Sequence, residues 1–294
     1  MKIFRFLLVL IFLMLNVNSH AEEKLVFGIT ILTESVSDQN RIKKLSLNLL
    51  AKMREYYKRD FDVVYYKDEK SLLKDFKERK NINALVISLE FYFDNKDLLK
   101  KISKKPFIYK HSSVSNSQLY LISNKNSKIN SFSDIRNKIF MNTIYMQNYS
   151  IWLDYLSLKK LNKSYKDIIK DEIADSKSSK ALLDVYFNKA DFTIIEKDIY
   201  EDMLLLNPTL QKNLTIIEKS PEIFFSSITT IHNDTSPELI DILNEILDNK
   251  NFKDDFREFL KLINLDSASR IKFEDLKEIE TFYNEYKSLK KKNN

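Results

Sequence analysis

Cysteine is absent from the chain, glycine occurs once, and histidine and proline are scarce, at three and four residues among 294. Without cysteine there is no disulfide, no thiolate metal ligand and no lipid attachment at a processed amino terminus. The single glycine, Gly28, excludes a phosphate-binding Walker loop, a dinucleotide-binding turn and a hydrolase nucleophile elbow, since each needs neighbouring glycines to reach left-handed backbone or to approach a phosphate. His20, His111 and His232 have no paired zinc-ligand spacing. A carboxylate-only enzyme, or a serine enzyme with a lysine base, stays formally open, but no spacing supports one. No cofactor or metal is expected. The 48 basic and 42 acidic residues give a net charge of +6. Both signs are interspersed except at Lys287, Lys290, Lys291 and Lys292, a pattern that fits a solvated tail, so no nucleic-acid partner is expected.

What is present begins with a leader. Lys2 and Arg5 precede ten apolar residues, Phe6 to Leu15, and Ser19-His20-Ala21 places small residues at the two positions a signal peptidase reads. This predicts a signal peptide over residues 1–21, cleaved after Ala21, and a periplasmic protein that is not a lipoprotein. A membrane anchor is the alternative, but a spanning helix needs about 18 apolar residues, and Asn16, Asn18 and Ser19 interrupt this run.

Strand and helix patterns then alternate. Strands are predicted at Leu25 to Leu32, Phe61 to Tyr66 and Ile82 to Ile87, with helices at about Asn40 to Tyr57 and around Leu72 to Phe76. Phe107 to Tyr109 and Gln118 to Ser123 read as extended. A second alternation follows: strand Lys138 to Thr143, helix Ser150 to Leu161, strand Ile168 to Ala174, helix Ser179 to Phe187 and strand Phe192 to Ile195. Leu214 to Ile217 and Ile223 to Ile231 read as extended, and Ser236-Pro237 opens a helix with an N-cap and a proline at its first position. Phe273, Leu276, Ile279, Phe282, Tyr283 and Tyr286 recur at steps of three and four, predicting a docked helix over Phe273 to Leu289 with a frayed basic end. The fold class is therefore α/β, with two lobes, each a mixed sheet flanked by helices, and two extended crossings near Lys110 to Ser117 and Ser220 to Phe225.

Three segments carry a family resemblance. Asn126 to Phe140 (NSKINSFSDIRNKIF), Ser178 to Glu196 (SSKALLDVYFNKADFTIIE) and Lys219 to Thr230 (KSPEIFFSSITT) resemble, in order and spacing, the type 2 periplasmic solute-binding proteins of phosphate, phosphite and phosphonate uptake. The resemblance implies a first lobe from residues 22–109 plus 223–294 and a second from 110–222. It also implies capture of a small oxyanion in the interlobe cleft and delivery to an inner-membrane ABC permease, with no catalysis. The alternative is a periplasmic sensor subunit that touches a membrane kinase or chemoreceptor. A monomer is expected. Where such proteins usually place glycine in turns, this chain has Asn81, Asn137 and Asn188, and asparagine is the side-chain-bearing residue that best tolerates left-handed backbone. The consecutive Ser/Thr pattern that holds phosphonate at a helix start is replaced by Tyr145-Met146-Gln147-Asn148-Tyr149-Ser150, so no family contact carries over directly.

The residues themselves still outline a polar cleft at strand ends and helix starts. Thr33, Glu34, Ser35, Ser88 and Glu90 belong to the first lobe, and Tyr145, Gln147, Asn148, Ser150, Ser178 and Glu196 to the second. For any one serine or asparagine, helix capping competes with ligand contact. The glutamates oppose a dianion but suit an amine, and Tyr92, Tyr145 and Tyr149 are wall or core residues.

Overall fold

The alternation predicts parallel strands covered by helices, and a computed structural model shows two such layers. It describes residues 23–30, 36–110, 118–143, 147–175, 177–223, 227–248 and 267–293. The leader, Thr33, Glu34, Ser35, Tyr145, residues 111–117 of the first crossing and Phe224 and Phe225 of the second lie outside the described residues.

The first sheet has six strands in the order β11-β4-β10-β3-β1-β2. These are β1 (Leu25–Thr30), β2 (Phe61–Tyr66), β3 (Ala84–Ile87), β4 (Ser103–Lys110), β10 (Ile228–His232) and β11 (Ser267–Arg270). β1 pairs in parallel with β2 and β3, while β10 runs antiparallel to β3 and β4. Helices α1 (Val36–Tyr57) and α2 (Glu69–Lys77) follow β1 and β2; α3 (Leu89–Asp94) and α4 (Lys96–Ile102) follow β3. The second sheet has the order β7-β6-β8-β5-β9, built from β5 (Leu119–Asn124), β6 (Ile139–Thr143), β7 (Asp171–Asp175), β8 (Phe192–Glu196) and β9 (Leu214–Lys219). Its helices are α5 (Gln147–Leu161), α6 (Ser178–Tyr186), α7 (Lys197–Leu206) and α8 (Leu210–Asn213). The chain thus leaves the first sheet after β4 and returns to it at β10.

Several predicted boundaries move for local reasons. Ile168 ends a 3-10 turn over Tyr165–Asp167 rather than opening a strand, and β7 starts at Asp171. Short helices α3, α4 and α8 carry too few turns for a period of 3.6 to show in sequence. Helix α9 (Pro237–Asp248) starts as expected, with the Leu239 amide donating to Ser236 Oγ at 3.4 Å.

Glycine poverty is answered partly by asparagine and partly by basic residues, Lys58, Arg79, Lys105 and Lys128 also being left-handed. Asn81, Asn137 and Asn188 have φ of 60°, 58° and 59°, all left-handed. Each sits where a helix or 3-10 turn hands over to a buried strand. Gly28 serves a different need. A Cβ on it would lie 2.3 Å from Leu72 Cδ1 and 3.1 Å from Ile82 Cδ1, so a side chain there would require Leu72 of α2 to shift.

The carboxyl-terminal helix α10 (Lys277–Asn293) is preceded by a 3-10 turn over Phe273–Leu276 and runs past the predicted end at Leu289. It follows β11 of the first sheet, yet it grips both lobes. Towards the second lobe, the Phe282 ring packs 4.8 Å from Tyr155, Tyr286 Oη donates to Asp154 at 2.9 Å, and Glu285 meets Lys159 at 2.9 Å and Tyr155 Oη at 3.0 Å. Towards the first, Tyr283 packs 5.1 Å from Phe93, and Glu280 and Lys287 pair with Lys96 and Asp94. One apolar cluster therefore runs through both lobes, joining Leu85 and Ile108 to Leu121, Phe140 and Ile194.

Two stability measurements check these points. Asn137→Val should lower the unfolding free energy in urea by about 1–2 kcal/mol, the cost of a branched residue in left-handed backbone, whereas Asn137→Gly should change it little. Phe282→Ala should cost about 3 kcal/mol, while deletion of 290–294 should leave the melting temperature nearly unchanged; equal effects would show that the ring is not held.

Candidate functional site

In the second lobe the parallel strands β7, β6 and β8 lie side by side, so their carboxyl ends share one edge of the sheet. That edge, with helices leaving it, is where an open α/β sheet gathers ligand groups. Three polar side chains meet there, and a fourth, Thr143, ends the neighbouring strand. Glu196 ends β8 with only 3% exposure. Tyr149, on the first turn of α5, donates its hydroxyl to the Glu196 carboxylate, and its oxygen lies 3.2 Å from Ser178 Oγ at the start of α6. Burial, followed by the charge of Glu196, pushes the Tyr149 phenol well above its ordinary value, so it stays a neutral donor. Thr143 ends β6; its Oγ1 is buried and has no hydrogen-bond partner among the described residues.

Asn142 arranges the beginning of α5. Its Nδ2 donates to Ser150 Oγ at 3.0 Å and to Glu172 at 2.6 Å. Ser150 is therefore already engaged within the lobe. Asn148 is half-buried on the same turn.

The first lobe offers a comparable edge at the ends of β1, β2 and β3. There Glu69, the first residue of α2, accepts from the Ser88 amide at 2.5 Å and from Ser88 Oγ at 3.1 Å. Ser88 Oγ in turn accepts from the Phe91 amide at 3.2 Å and caps α3. Both functions of the Ser88 hydroxyl are thus used inside the lobe. Glu90 lies in the first turn of α3; burial raises its carboxyl above the ordinary value, with the Lys290 and Lys287 charges of α10 opposing and Asp94 adding to that rise. Tyr92 is a core ring stacked on Phe273.

The structure thus unites Ser178 and Glu196 with Tyr149, places Asn148 and Ser150 on the same helical turn as Tyr149, and sets Ser88 and Glu90 at the start of α3 in the first lobe. Sequence reasoning missed Thr143 and Glu69. Glu69 had a signal in Asp68-Glu69 directly after a strand, since acidic residues open helices; Thr143 had none beyond its place at a strand end.

Among described residues no three His, Asp or Glu side chains form a metal site, and no helix is long and apolar enough to cross a membrane. The profile of the phosphonate ABC transporter periplasmic substrate-binding proteins matches residues 99–276, more than half of the sequence. The chain belongs to that family. Its members bind solutes for transport and are not enzymes. Among solved structures, a binding protein component of an ABC phosphonate transporter from Pseudomonas aeruginosa is 18% identical with a TM-score of 0.61, covering 93% of this chain and 89% of its own. A Xanthomonas citri protein solved with ATP is 10% identical with a TM-score of 0.61, at coverages of 91% and 98%. PhnD1 from Prochlorococcus marinus, solved with methylphosphonate, is 15% identical with a TM-score of 0.55, at 88% and 96%. These likenesses establish the two-lobed binding-protein fold. No curated protein is similar enough in sequence to count as a relative, and the sensor alternative gains no support.

A pH measurement tests the first-lobe edge. Burial raises the Glu69 carboxyl above its ordinary value of 4.5, so the folded chain holds this proton more tightly than the unfolded one. The associated stability is full below the ordinary value and is lost as pH rises through the raised one. Glu69→Gln should therefore flatten the decline in melting temperature above about pH 4.5, the ordinary glutamate value; an unchanged profile would place that decline in other groups.

Proposed function

We propose that this family member is exported with cleavage after Ala21 and captures a small phosphonate-like oxyanion bearing a protonated amine. It works as a monomer with lobes from residues 22–109 plus 223–294 and 110–222, and passes its solute to an inner-membrane ABC permease. The carrying observation is Glu196, a carboxylate buried at the end of β8 with the Tyr149 phenol and the Ser178 hydroxyl as neighbours. A buried carboxylate disfavours a bare dianion and favours a cationic group. The oxyanion end of the same solute is suited to Thr143 Oγ1 and the start of α5 near Asn148, where helix amides and dipole favour negative charge.

This reading is tested by titration calorimetry on protein stripped of bound solute by unfolding and refolding. 2-Aminoethylphosphonate should bind at least about tenfold more tightly than methylphosphonate, a difference of about 1.4 kcal/mol. Glu196→Gln should erase that preference. Asn148→Ala with Ser150→Ala should weaken both by about 1–3 kcal/mol, the range for hydrogen bonds to a charged partner. Equal binding of the two phosphonates by the unaltered protein would remove the amine from the assignment, and no heat with either would remove the oxyanion.

A further inference from the structure

Helix α10 is set between the lobes in a way that solute binding alone does not call for. Ile279, Phe282, Tyr283 and Tyr286 form one face of the helix, a stripe about 100° wide, and all are nearly fully buried. The reason is that two surfaces cover them. Phe282 and Tyr286 face α5 through Tyr155 and Asp154, while Tyr283 faces α3 through Phe93. Ion pairs flank both contacts, Lys159 with Glu285 on one side and Lys96 with Glu280 and Lys287 with Asp94 on the other. Asp154 is itself fixed, accepting from Ser164 Oγ at 2.6 Å and from the Tyr165 amide at 3.2 Å, so the Tyr286 hydroxyl binds an immobile part of the second lobe.

We propose that α10 is an interlobe strap: it ties α5 of the second lobe to α3 of the first, so that the cleft changes width by rotation about this edge and not by free separation of the lobes on their two crossings. Packed side chains hold discrete arrangements and transmit displacement. Because α5 also carries Asn148 and Ser150 in its first turn, a movement of the solute-facing end of α5 is resisted, or relayed, by α10. The inference rests on the two-lobed fold and not on the identity of the solute.

The absence of native cysteine allows direct spin labelling. One label pair spans the lobes, at Lys77→Cys and Asp202→Cys. Two pairs stay within a lobe, Glu55→Cys with Lys77→Cys and Lys170→Cys with Asp202→Cys. All four sites are exposed. Distances are measured by double electron–electron resonance with no solute added. The otherwise unaltered chain should give one narrow interlobe distance. In Phe282→Ala/Tyr286→Ala that distance should broaden and lengthen while both intralobe distances stay fixed. If the intralobe distances also change, the fold has been lost, and Glu285→Gln/Tyr286→Phe, which keeps the ring volume, decides by the same comparison. A broad interlobe distribution in the parent, or one unaltered in the variant that keeps its fold, would overturn the proposal.

Discussion

The structure depends on a stripe of aromatic rings along one helix. Phe282, Tyr283 and Tyr286 can leave water only if both lobes close on them, so burial of this stripe forces two separately built sheets into one apolar cluster. Each ring carries a large hydrophobic contribution, and each hydroxyl demands a partner or a cost. Tyr286 finds Asp154, whereas the Tyr283 hydroxyl has no hydrogen-bond partner among the described residues. The lobes of this protein are thus less independent than their separate sheets suggest.

The site follows from the same economy of placement. A parallel sheet sends its strand ends to one edge, and here that edge holds Thr143 and Glu196 on neighbouring strands with Tyr149 and Ser178 above them. The first lobe instead uses its own carboxylate, Glu69, to satisfy Ser88 at the start of α3. Polar groups at one edge are spent internally, while at the other a buried threonine hydroxyl is left over.

Much of this was legible in the sequence, and the limits have physical causes. The period-two and period-3.6 patterns located most of the longer strands and helices, and the three asparagines were readable as left-handed turns because few side chains tolerate that backbone. Ser178 and Glu196 were readable as ends of a helix and a strand. Their union with Tyr149 was not, because it depends on the order β6-β8 across the sheet. Glu90 shows a similar limit: its position after β3 says that it is near an edge, while only tertiary packing shows that charges of α10 act on it. The two-sided burial of α10 was hidden because a stripe at steps of three and four announces one apolar face, not the number of surfaces that will cover it.

The left-handed asparagines also bear on the unfolded chain. Glycine in a turn gives up more conformational freedom on folding than any other residue. A chain that makes these turns with asparagine begins from a narrower unfolded ensemble, so less entropy is lost at residues 81, 137 and 188, and the compensation appears as mild strain in the folded backbone. The turns are consequently stiff in both states, and with one glycine in 294 residues this holds along nearly the whole polypeptide. Backbone rotation at these turns is therefore narrower than glycine would leave it.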